Sequence, residues 1–292
     1  MSAQGAHAGA PLQTVSHERI TSRDNSLLRR ARAVRDGKTR ELIFVEGLRL
    51  CEEALASGLK IDAVIYSEEI ARKERAARLL RELEQVCDRL ASVSEKLLAS
   101  ISYTKTPQGI IVLASRPDWD QTKFESAQGK TALIVIMHGI NNPVNVGAIL
   151  RTAEAAGASG AITTANTTDP FSPKALRGAM GSAFRLPVWT RATYSDVLAW
   201  CAEHDIETVC ADVEASLAYT AIDWKRPTAL IFGTESTGLT PAEVSAATIA
   251  IKIPMRGNAE SLNVAVAAAV VLYEAARQRG EDQELVIRNQ RE

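Results

Sequence analysis

Three blocks in the second half of the sequence decide the fold that we predict: NNPVNVGAILRTAEAAGA at 141–158, LIFGTESTGL at 230–239 and IPMRGNAESLNVAVA at 253–267. Each block contains, follows or begins at the end of an apolar run that is typical of a buried strand. Each then turns into a loop rich in Gly, Asn, Ser or Glu. Because ligands of open α/β sheets bind outside the carboxyl ends of the strands, we expect the three loops to form one composite ligand site.

Strand and helix patterns alternate on both sides of these blocks, which predicts an α/β fold. In the second half we predict strands at 131–137, 160–164, 186–190, 207–212, 228–232 and 249–253, with helices at 145–156, 173–183, 195–204 and 241–247 and a long last helix. Such apolar strands favour a mostly parallel sheet that is covered on both faces. In the first half we predict strands at 41–47, 62–67 and 110–114, with helices at 24–36, 49–57, 69–84 and 94–102.

Changes in composition predict the domain boundaries. The small polar residues 1–16 are typical of a disordered tail, and the Pro-, Asp- and Gln-containing stretch 116–130 is typical of a linker. We therefore predict a first domain at 17–115, a second at 131–280 and a polar C-terminal tail at 281–292. The chain of 292 residues is long enough for two such cores.

Bulk composition excludes several classes of protein. The net charge is −1, and the four cysteines form no CxxC pair and no metal-ligand spacing with the histidines. No basic segment precedes an apolar run near residue 1, and the most apolar helix, 264–276, is too short to cross a bilayer. We expect a reduced, cytoplasmic protein with no metal and no membrane association.

The charge is nevertheless uneven along the chain. Seven basic residues stand against two acidic ones between Arg23 and Arg40. Such a stretch can bind RNA phosphates, or it can be the solvated face of a helix. The candidate RNA-binding residues are Arg23, Arg29, Arg30, Arg32 and Arg35.

Taken one at a time, the three blocks are explained better by ordinary structure than by function. Asn145 could cap a helix, Gly147 allows a close approach of the backbone, and Ser261 and Asn263 could cap the last helix. Glu235 could be a solvent-facing loop residue unless an arginine lies next to it, and Arg151 is the natural candidate. The first block lacks the GxGxxG pattern, so a dinucleotide phosphate loop is poorly supported.

Taken together and in order, the blocks resemble the SpoU/TrmH family of S-adenosylmethionine-dependent RNA ribose 2′-O-methyltransferases. The pattern reads N-x-G-x-x-x-R-T-x-x-A-x-G, then F-G-x-E-x-x-G-L, then I-P-M-x-G-x-x-x-S-L-N-V-x-V-A. FVEG at 44–47 and TPQGI at 106–110 resemble the RNA-binding N-terminal domain of that family, which is similar to some ribosomal proteins. The resemblance covers roughly residues 20–278.

The resemblance implies a C-terminal methyltransferase domain with a trefoil knot, a homodimer and a cytoplasmic enzyme that needs no metal. It implies that S-adenosylmethionine is held by backbone groups around Gly233, Ile253 and Leu262. The catalytic residues carry over as Asn145, Arg151, Glu235, Ser261 and Asn263.

The expected reaction is methyl transfer to a ribose 2′-oxygen of structured RNA. Arg151 is effectively always protonated, so it either stabilises the developing alkoxide or holds a substrate phosphate that takes the proton. Glu235 is expected to orient Arg151. We expect ribosomal RNA as substrate; the alternatives are transfer RNA and a non-catalytic RNA-binding protein of the same fold. A nucleotide-dependent oxidoreductase is a third, poorly supported hypothesis.

Overall fold

The computed structural model describes the backbone of residues 16–129 and 131–289, and the side chains of residues 18–129 and 131–280. The chain divides into two compact units after Ser115. The predicted N-terminal tail lies outside the described residues, except for its last residue, Ser16, which begins a strand. Each unit is an α/β structure with its own sheet and core.

The first unit contains a five-stranded mixed sheet. Its elements in chain order are β1 (Ser16–Ile20), α1 (Ser26–Arg35), β2 (Leu42–Glu46), α2 (Leu48–Ala56), β3 (Ile61–Ser67), α3 (Glu74–Glu84), β4 (Arg89–Val93), α4 (Glu95–Ile101) and β5 (Ile110–Ser115). The order across the sheet is β1-β4-β3-β5-β2. Strands β1, β3 and β4 are parallel, and β5 runs antiparallel to both β3 and β2. The carboxyl ends of β1, β2, β3 and β4 therefore lie at one edge.

Two features of the first unit were not predicted. The short strands β1 and β4 mix polar and apolar residues, so neither gives an apolar run, and both were missed. The helix predicted at 69–84 is broken, because Lys73 adopts an extended conformation between a 3₁₀ turn at Ile70–Arg72 and α3. Helix α1 is capped by Asn25, whose side chain accepts a hydrogen bond from Leu27 N.

The second unit contains a seven-stranded parallel sheet. Its elements are α5 (Gln121–Ser126), β6 (Leu133–Met137), α6 (Pro143–Ala155), β7 (Gly160–Thr164), α7 (Pro173–Ala179), α8 (Ser182–Arg185), β8 (Val188–Ala192), α9 (Tyr194–Glu203), β9 (Glu207–Ala211), β10 (Leu217–Ala218), β11 (Thr228–Phe232), α10 (Pro241–Ala246), β12 (Ile249–Lys252) and α11 (Val264–Asn289). The strand order is β10-β12-β9-β11-β6-β7-β8.

This sheet order brings the three sequence blocks to one region. Strands β6 and β11, which lead into the first two blocks, are hydrogen-bonded neighbours. Strand β12, which leads into the third block, is separated from β11 only by β9. All these pairs are parallel, so the three loops leave the same edge of the sheet. The predicted parallel α/β sheet is confirmed, and the knot stays a prediction.

Several predicted boundaries in the second unit were wrong. The predicted linker 116–130 contains α5, whose Phe124 is buried against Trp189 and Trp200. The helix predicted at 173–183 is interrupted, because Met180 and Gly181 both have positive φ. Helix α11 continues as backbone to Asn289, through most of the predicted polar tail at 281–292. In the described part of the chain, none of the helices is both long enough and apolar enough to span a membrane.

Candidate active site

A cleft of about 490 Å³ lies outside the carboxyl ends of β9, β11 and β12. It is bordered by the loops of the second and third sequence blocks and by the residues that follow β9. Six residues predicted from the sequence line it: Gly233, Glu235, Ile253, Ser261, Leu262 and Asn263. The cleft mixes backbone, apolar side chains and carboxylates, and its volume is typical of a small-molecule site.

The loop after β11 closes tightly on itself at Gly233. A Cβ atom at this position would lie 2.5 Å from the carbonyl carbon of Gly238 and 2.7 Å from Leu239 N. Thr234 and Gly238 exchange two backbone hydrogen bonds, with N···O distances of 3.3 and 3.1 Å. Only glycine at 233 allows this closure, so this residue shapes the wall of the cleft through its backbone.

Glu235 lies in this closed loop and ties it to the loop after β6. Its carboxylate accepts hydrogen bonds from Asn141 N at 3.2 Å, Asn142 N at 3.0 Å and Asn145 Nδ2 at 3.1 Å. Partial burial raises the pKa of Glu235, but these three hydrogen bonds outweigh it and hold the pKa below the ordinary glutamate value. The group is therefore a carboxylate at neutral pH.

The network continues from Asn145 to the third block. The buried Asn145 Oδ1 accepts a hydrogen bond from Asn263 Nδ2 at 3.3 Å. Asn263 Oδ1 in turn accepts from Ala265 N at 2.9 Å and Val266 N at 3.4 Å, at the start of α11. Glu235, Asn145 and Asn263 thus form one continuous network through all three blocks.

The start of α6 differs from the prediction. Asn142 is the N-cap, and its side chain accepts from Val144 N at 3.0 Å, whereas Asn145 lies inside the helix. This shift by three residues frees the Asn145 side chain from capping and turns it towards Glu235. Asn263 caps α11, which was the structural alternative considered for this residue, and Ser261 is exposed on the cleft wall.

Helices α6 and α7 cross in direct backbone contact. A Cβ atom on Gly147 would lie 2.3 Å from Ala175 O and 2.9 Å from Gly178 Cα. This contact fixes the position of α6, which carries both Asn145 and Arg151.

Arg151 is exposed on α6 and is not brought to the Glu235 carboxylate. Within residues 18–129 and 131–280, the Arg151 side chain forms no hydrogen bond or ion pair. The Glu235 carboxylate accepts instead from nitrogens of Asn141, Asn142 and Asn145. The expected orientation of Arg151 by Glu235 is therefore wrong. Glu235 instead positions Asn145.

The buried cysteines of the second unit offer no nucleophile or metal site. Burial raises the pKa of Cys201 to about 12 and that of Cys210 to about 11, so both remain thiols at neutral pH. Among the described residues, no group of three His, Cys, Asp or Glu side chains is arranged to hold a metal ion.

The five arginines predicted to bind RNA fall into two groups. Arg30 pairs with Asp62 at 2.9 Å, Arg32 donates to Arg23 O at 2.8 Å, and Arg35 pairs with Asp36 at 2.8 Å. The side chains of Arg23 and Arg29 are exposed and have no partner within the described part of the chain. The sequence did not separate these two groups.

Arg23 also lines a hollow of about 400 Å³ at the carboxyl edge of the first sheet. Two further cations, Arg19 and Lys96, line the same hollow, together with one carboxylate, that of Glu68. Arg19 pairs with Glu68 at 2.8 Å. The hollow thus carries a net positive charge, of the kind that attracts phosphates.

Comparison with known proteins gives matches to both units. Residues 132–273 match the SpoU rRNA Methylase family, and residues 25–112 match the MRM3-like substrate binding domain. An uncharacterized tRNA/rRNA methyltransferase of Synechocystis sp. is 32% identical over 265 residues, which span 89% of this chain and 94% of the relative. The chain belongs to the SpoU rRNA methylase family.

Two further relatives have informative names. A 23S rRNA (uridine(2479)-2′-O)-methyltransferase of Streptomyces viridochromogenes is 30% identical over 276 residues, which cover 91% of this chain and 94% of the relative. The crystal structure of an AdoMet-bound rRNA methyltransferase from Sinorhizobium meliloti has a TM-score of 0.79 and 30% identity, and covers 89% of this chain and 98% of that one. The family resemblance inferred from the three blocks is confirmed.

Sequence reasoning missed part of the SpoU cleft. Asp212 and Val213, which follow β9, line it, and so do Met255 and Glu260 of the third block. The rule that pointed to the other strand ends applies equally to Asp212, because the run ETVCAD ends in a carboxylate. The role of the Asn141 and Asn142 backbone amides could not be predicted from the sequence, because only the folded loop directs them at Glu235.

Proposed function

We propose that this protein transfers a methyl group from S-adenosylmethionine to a ribose 2′-oxygen of ribosomal RNA. The observation that carries the proposal is the network from Glu235 through Asn145 to Asn263, which connects three SpoU sequence blocks beside one cleft. The relative from Streptomyces viridochromogenes is named as a 23S rRNA 2′-O-methyltransferase, and the Sinorhizobium meliloti structure as an AdoMet-bound rRNA methyltransferase.

The cleft fits S-adenosylmethionine. Its volume of about 490 Å³ suits a ligand of this size, and backbone around Gly233, Ile253 and Leu262 would hold it. The carboxylates of Asp212 and Glu260 line the same cleft and complement a ligand that carries a positive sulfonium. When bound, S-adenosylmethionine supplies an activated methyl group, so the protein has to supply position and charge.

Glu235 acts as the fixed end of the positioning network. A carboxylate only accepts hydrogen bonds, so the Asn145 amide must turn its nitrogen towards Glu235 and its oxygen towards Asn263. Asn263 is fixed in the same way, because its oxygen accepts from the first amides of α11. Each amide retains one N–H for the ribose or the cofactor, and Ser261 adds a hydroxyl on the cleft wall.

Arg151 acts as a cation next to the reacting ribose. Arginine does not lose its proton at neutral pH, so it serves as a stabiliser of the developing alkoxide and not as a base. Its exposed side chain is also able to hold a substrate phosphate, which then accepts the proton of the 2′-hydroxyl. Within the described residues Arg151 is exposed and has no carboxylate partner, so its full charge is available to RNA.

The first unit is proposed to hold the RNA. Arg23 and Arg29 contribute more than Arg30, Arg32 and Arg35, since the latter three already have partners within the chain. A ribosomal RNA substrate accords with the cytoplasmic location that the sequence predicts.

We also propose the homodimer and the trefoil knot that the resemblance implies. Val144 on α6 and Val266 and Tyr273 on α11 are large exposed apolar side chains, and α6 and α11 pack against each other. A second copy that covers these residues would remove them from water. Tyr273→Glu should lower the mass measured by sedimentation from dimer to monomer, and an unchanged mass contradicts this interface.

The proposed reaction is tested with radiolabelled S-adenosylmethionine and deproteinised RNA, followed by mapping of ribose methylation. The wild-type protein should label ribosomal RNA; label in transfer RNA alone would identify the other substrate. Arg151→Ala should abolish transfer and keep the affinity for S-adenosylmethionine. Arg226→Ala is the matched control, because Arg226 is exposed before β11, at the opposite edge of the sheet, and this variant should retain activity. Absence of labelling by the wild-type protein rejects the proposed function.

A further inference from the structure

One loop of the first unit, Ser102–Gly109, is built around a buried carboxylate. Glu46 ends β2 and is only 7% exposed. Its carboxylate accepts hydrogen bonds from Tyr103 N at 2.8 Å, Thr104 N at 3.2 Å and Thr104 Oγ1 at 2.7 Å, and also from Ser102 Oγ. A buried carboxylate is costly unless it is well hydrogen-bonded, and here three consecutive residues supply every donor. The conformation of these residues is therefore tied to Glu46.

The loop is fixed at its other end by two glycines. Gly47 has φ +103, and a Cβ atom there would lie 2.7 Å from Gln108 Oε1. Gly109 has φ +84, and a Cβ atom there would lie 2.6 Å from Ile70 Cβ. Gly109 O also accepts a hydrogen bond from Ser67 N at 2.8 Å. The sequence pieces FVEG and TPQGI therefore pack against each other, with Gly47 next to Gln108 and Gly109 next to Ile70.

The loop presents an aromatic ring and a cation to solvent. Tyr103 is 43% exposed and Lys105 is exposed as well. In the part of the chain that the structure describes, the Tyr103 hydroxyl has no hydrogen-bond partner. Stabilisation of the loop conformation explains the roles of Glu46 and the two glycines. It does not explain why an aromatic side chain in this loop is partly exposed to solvent. Proteins that bind unpaired RNA use this combination, with bases stacked on aromatic rings and phosphates held by cations.

The loop lies at the same sheet edge as the hollow lined by Arg19, Arg23 and Lys96. The hollow lies at the β1 end of that edge, and the loop lies at the β2 end. Four strand spacings separate the two ends, which corresponds to about 19 Å. An RNA strand that runs along this edge meets phosphate-binding cations at one end and the Tyr103 ring at the other.

We propose that Tyr103 stacks on an unpaired base of the substrate RNA and that Lys105 contacts the adjacent backbone. Glu46 is a positioning residue, which acts by holding Tyr103 and Thr104 in place. This inference rests on the proposed function, because it takes RNA as the ligand. It assigns base contact to Tyr103, and backbone contact to Lys105 and the arginines.

The first experiment measures the dissociation constants of deproteinised 23S rRNA and of bulk transfer RNA by filter binding. Tyr103→Leu should weaken binding about 5- to 100-fold, as expected for the loss of one base stack, whereas Tyr103→Phe should stay within about twofold of wild type. Lys105→Gln should weaken binding and make it less sensitive to salt. The matched controls are Val86→Ala and Lys60→Gln, since both residues are exposed before strands at the opposite edge; neither should change binding.

The second experiment tests Glu46 through its partner. Glu46→Gln should weaken RNA binding, and its effect should largely disappear in a Tyr103→Leu background; additive effects would reject the positioning role. If Glu46→Gln fails to fold, the comparison of Tyr103→Leu with Tyr103→Phe decides alone. Wild-type binding by a folded Tyr103→Leu variant overturns the inference, as does a wild-type protein that binds neither RNA. A wild-type protein that binds RNA without methyl transfer rejects only the proposed function.

Discussion

The backbone crossing of α6 and α7 makes Gly147→Ala the most demanding test of the site's architecture. The added methyl group would lie 2.3 Å from Ala175 O and 2.9 Å from both Ala179 N and Gly178 Cα. All three neighbours are backbone atoms, so no side chain can rotate away, and the helices must separate by about 1 Å. Overpacking of this kind costs about 1–3 kcal/mol or more, against a gain of up to about 1 kcal/mol in helix propensity.

The net destabilisation expected for Gly147→Ala is about 2 kcal/mol. For a unit of this size, that loss lowers Tm by about 4–8 °C. The displacement of α6 also moves Asn145 away from Asn263, so methyl transfer should fall by more than the unfolded fraction explains. Differential scanning calorimetry and labelled methyl transfer measure the two effects. Gly129→Ala is the control, since a Cβ atom there meets nothing within 4 Å. Wild-type Tm and activity in Gly147→Ala would refute the argument.

The other predictions concern the cleft and the last helix. Gly233→Ala should weaken S-adenosylmethionine binding at least about tenfold by calorimetry without changing RNA affinity, because a Cβ atom opens the loop at Gly238. Asn145→Asp puts a second carboxylate beside Glu235 and raises the pKa of the pair in the folded state. The free energy of unfolding should therefore fall as pH rises from about 4 to 6, by up to about 1.4 kcal/mol per pH unit before solvent screening. Urea unfolding measures this slope, and Asn145→Ala should not show it. Arg279 donates hydrogen bonds to four backbone carbonyls, among them those of Trp224 at 2.6 Å and Arg226 at 2.8 Å. Arg279→Met should therefore lower the free energy of unfolding by about 2–3 kcal/mol and Tm by about 5–10 °C.

The sequence predicted the parts of the fold that depend on local pattern. The apolar runs that became β6 and β11 are continuous and end in Gly or polar residues, so both the strands and their carboxyl ends were identifiable. The parallel arrangement then followed from the intervening helices. Strands such as β4, with Arg89 and Ser92 among five residues, carry no such pattern and become strands only because both neighbours pair with them.

The contacts within the site depend on distances that no local pattern contains. Asn142 and Asn145 are both good helix caps, and the sequence favoured the wrong one. The choice is made by Pro143, which fits the first turn of a helix, and by Glu235, which lies 90 residues beyond Asn145 and binds its side chain. The division of the arginines into paired and unpaired residues likewise depends on partners such as Asp62, which are distant in sequence.

The placement of Arg151 on α6 limits the mechanism. Six residues separate it from Asn145, which corresponds to about 9 Å along the helix and about 120° around it. Asn145 faces the carboxylate of Glu235, so Arg151 faces elsewhere and is exposed. Among the residues whose side chains the structure describes, none of the carboxylates pairs with Arg151, and the Glu235 carboxylate already accepts from three donors. We propose that the proton acceptor arrives with the RNA, as a phosphate held by Arg151.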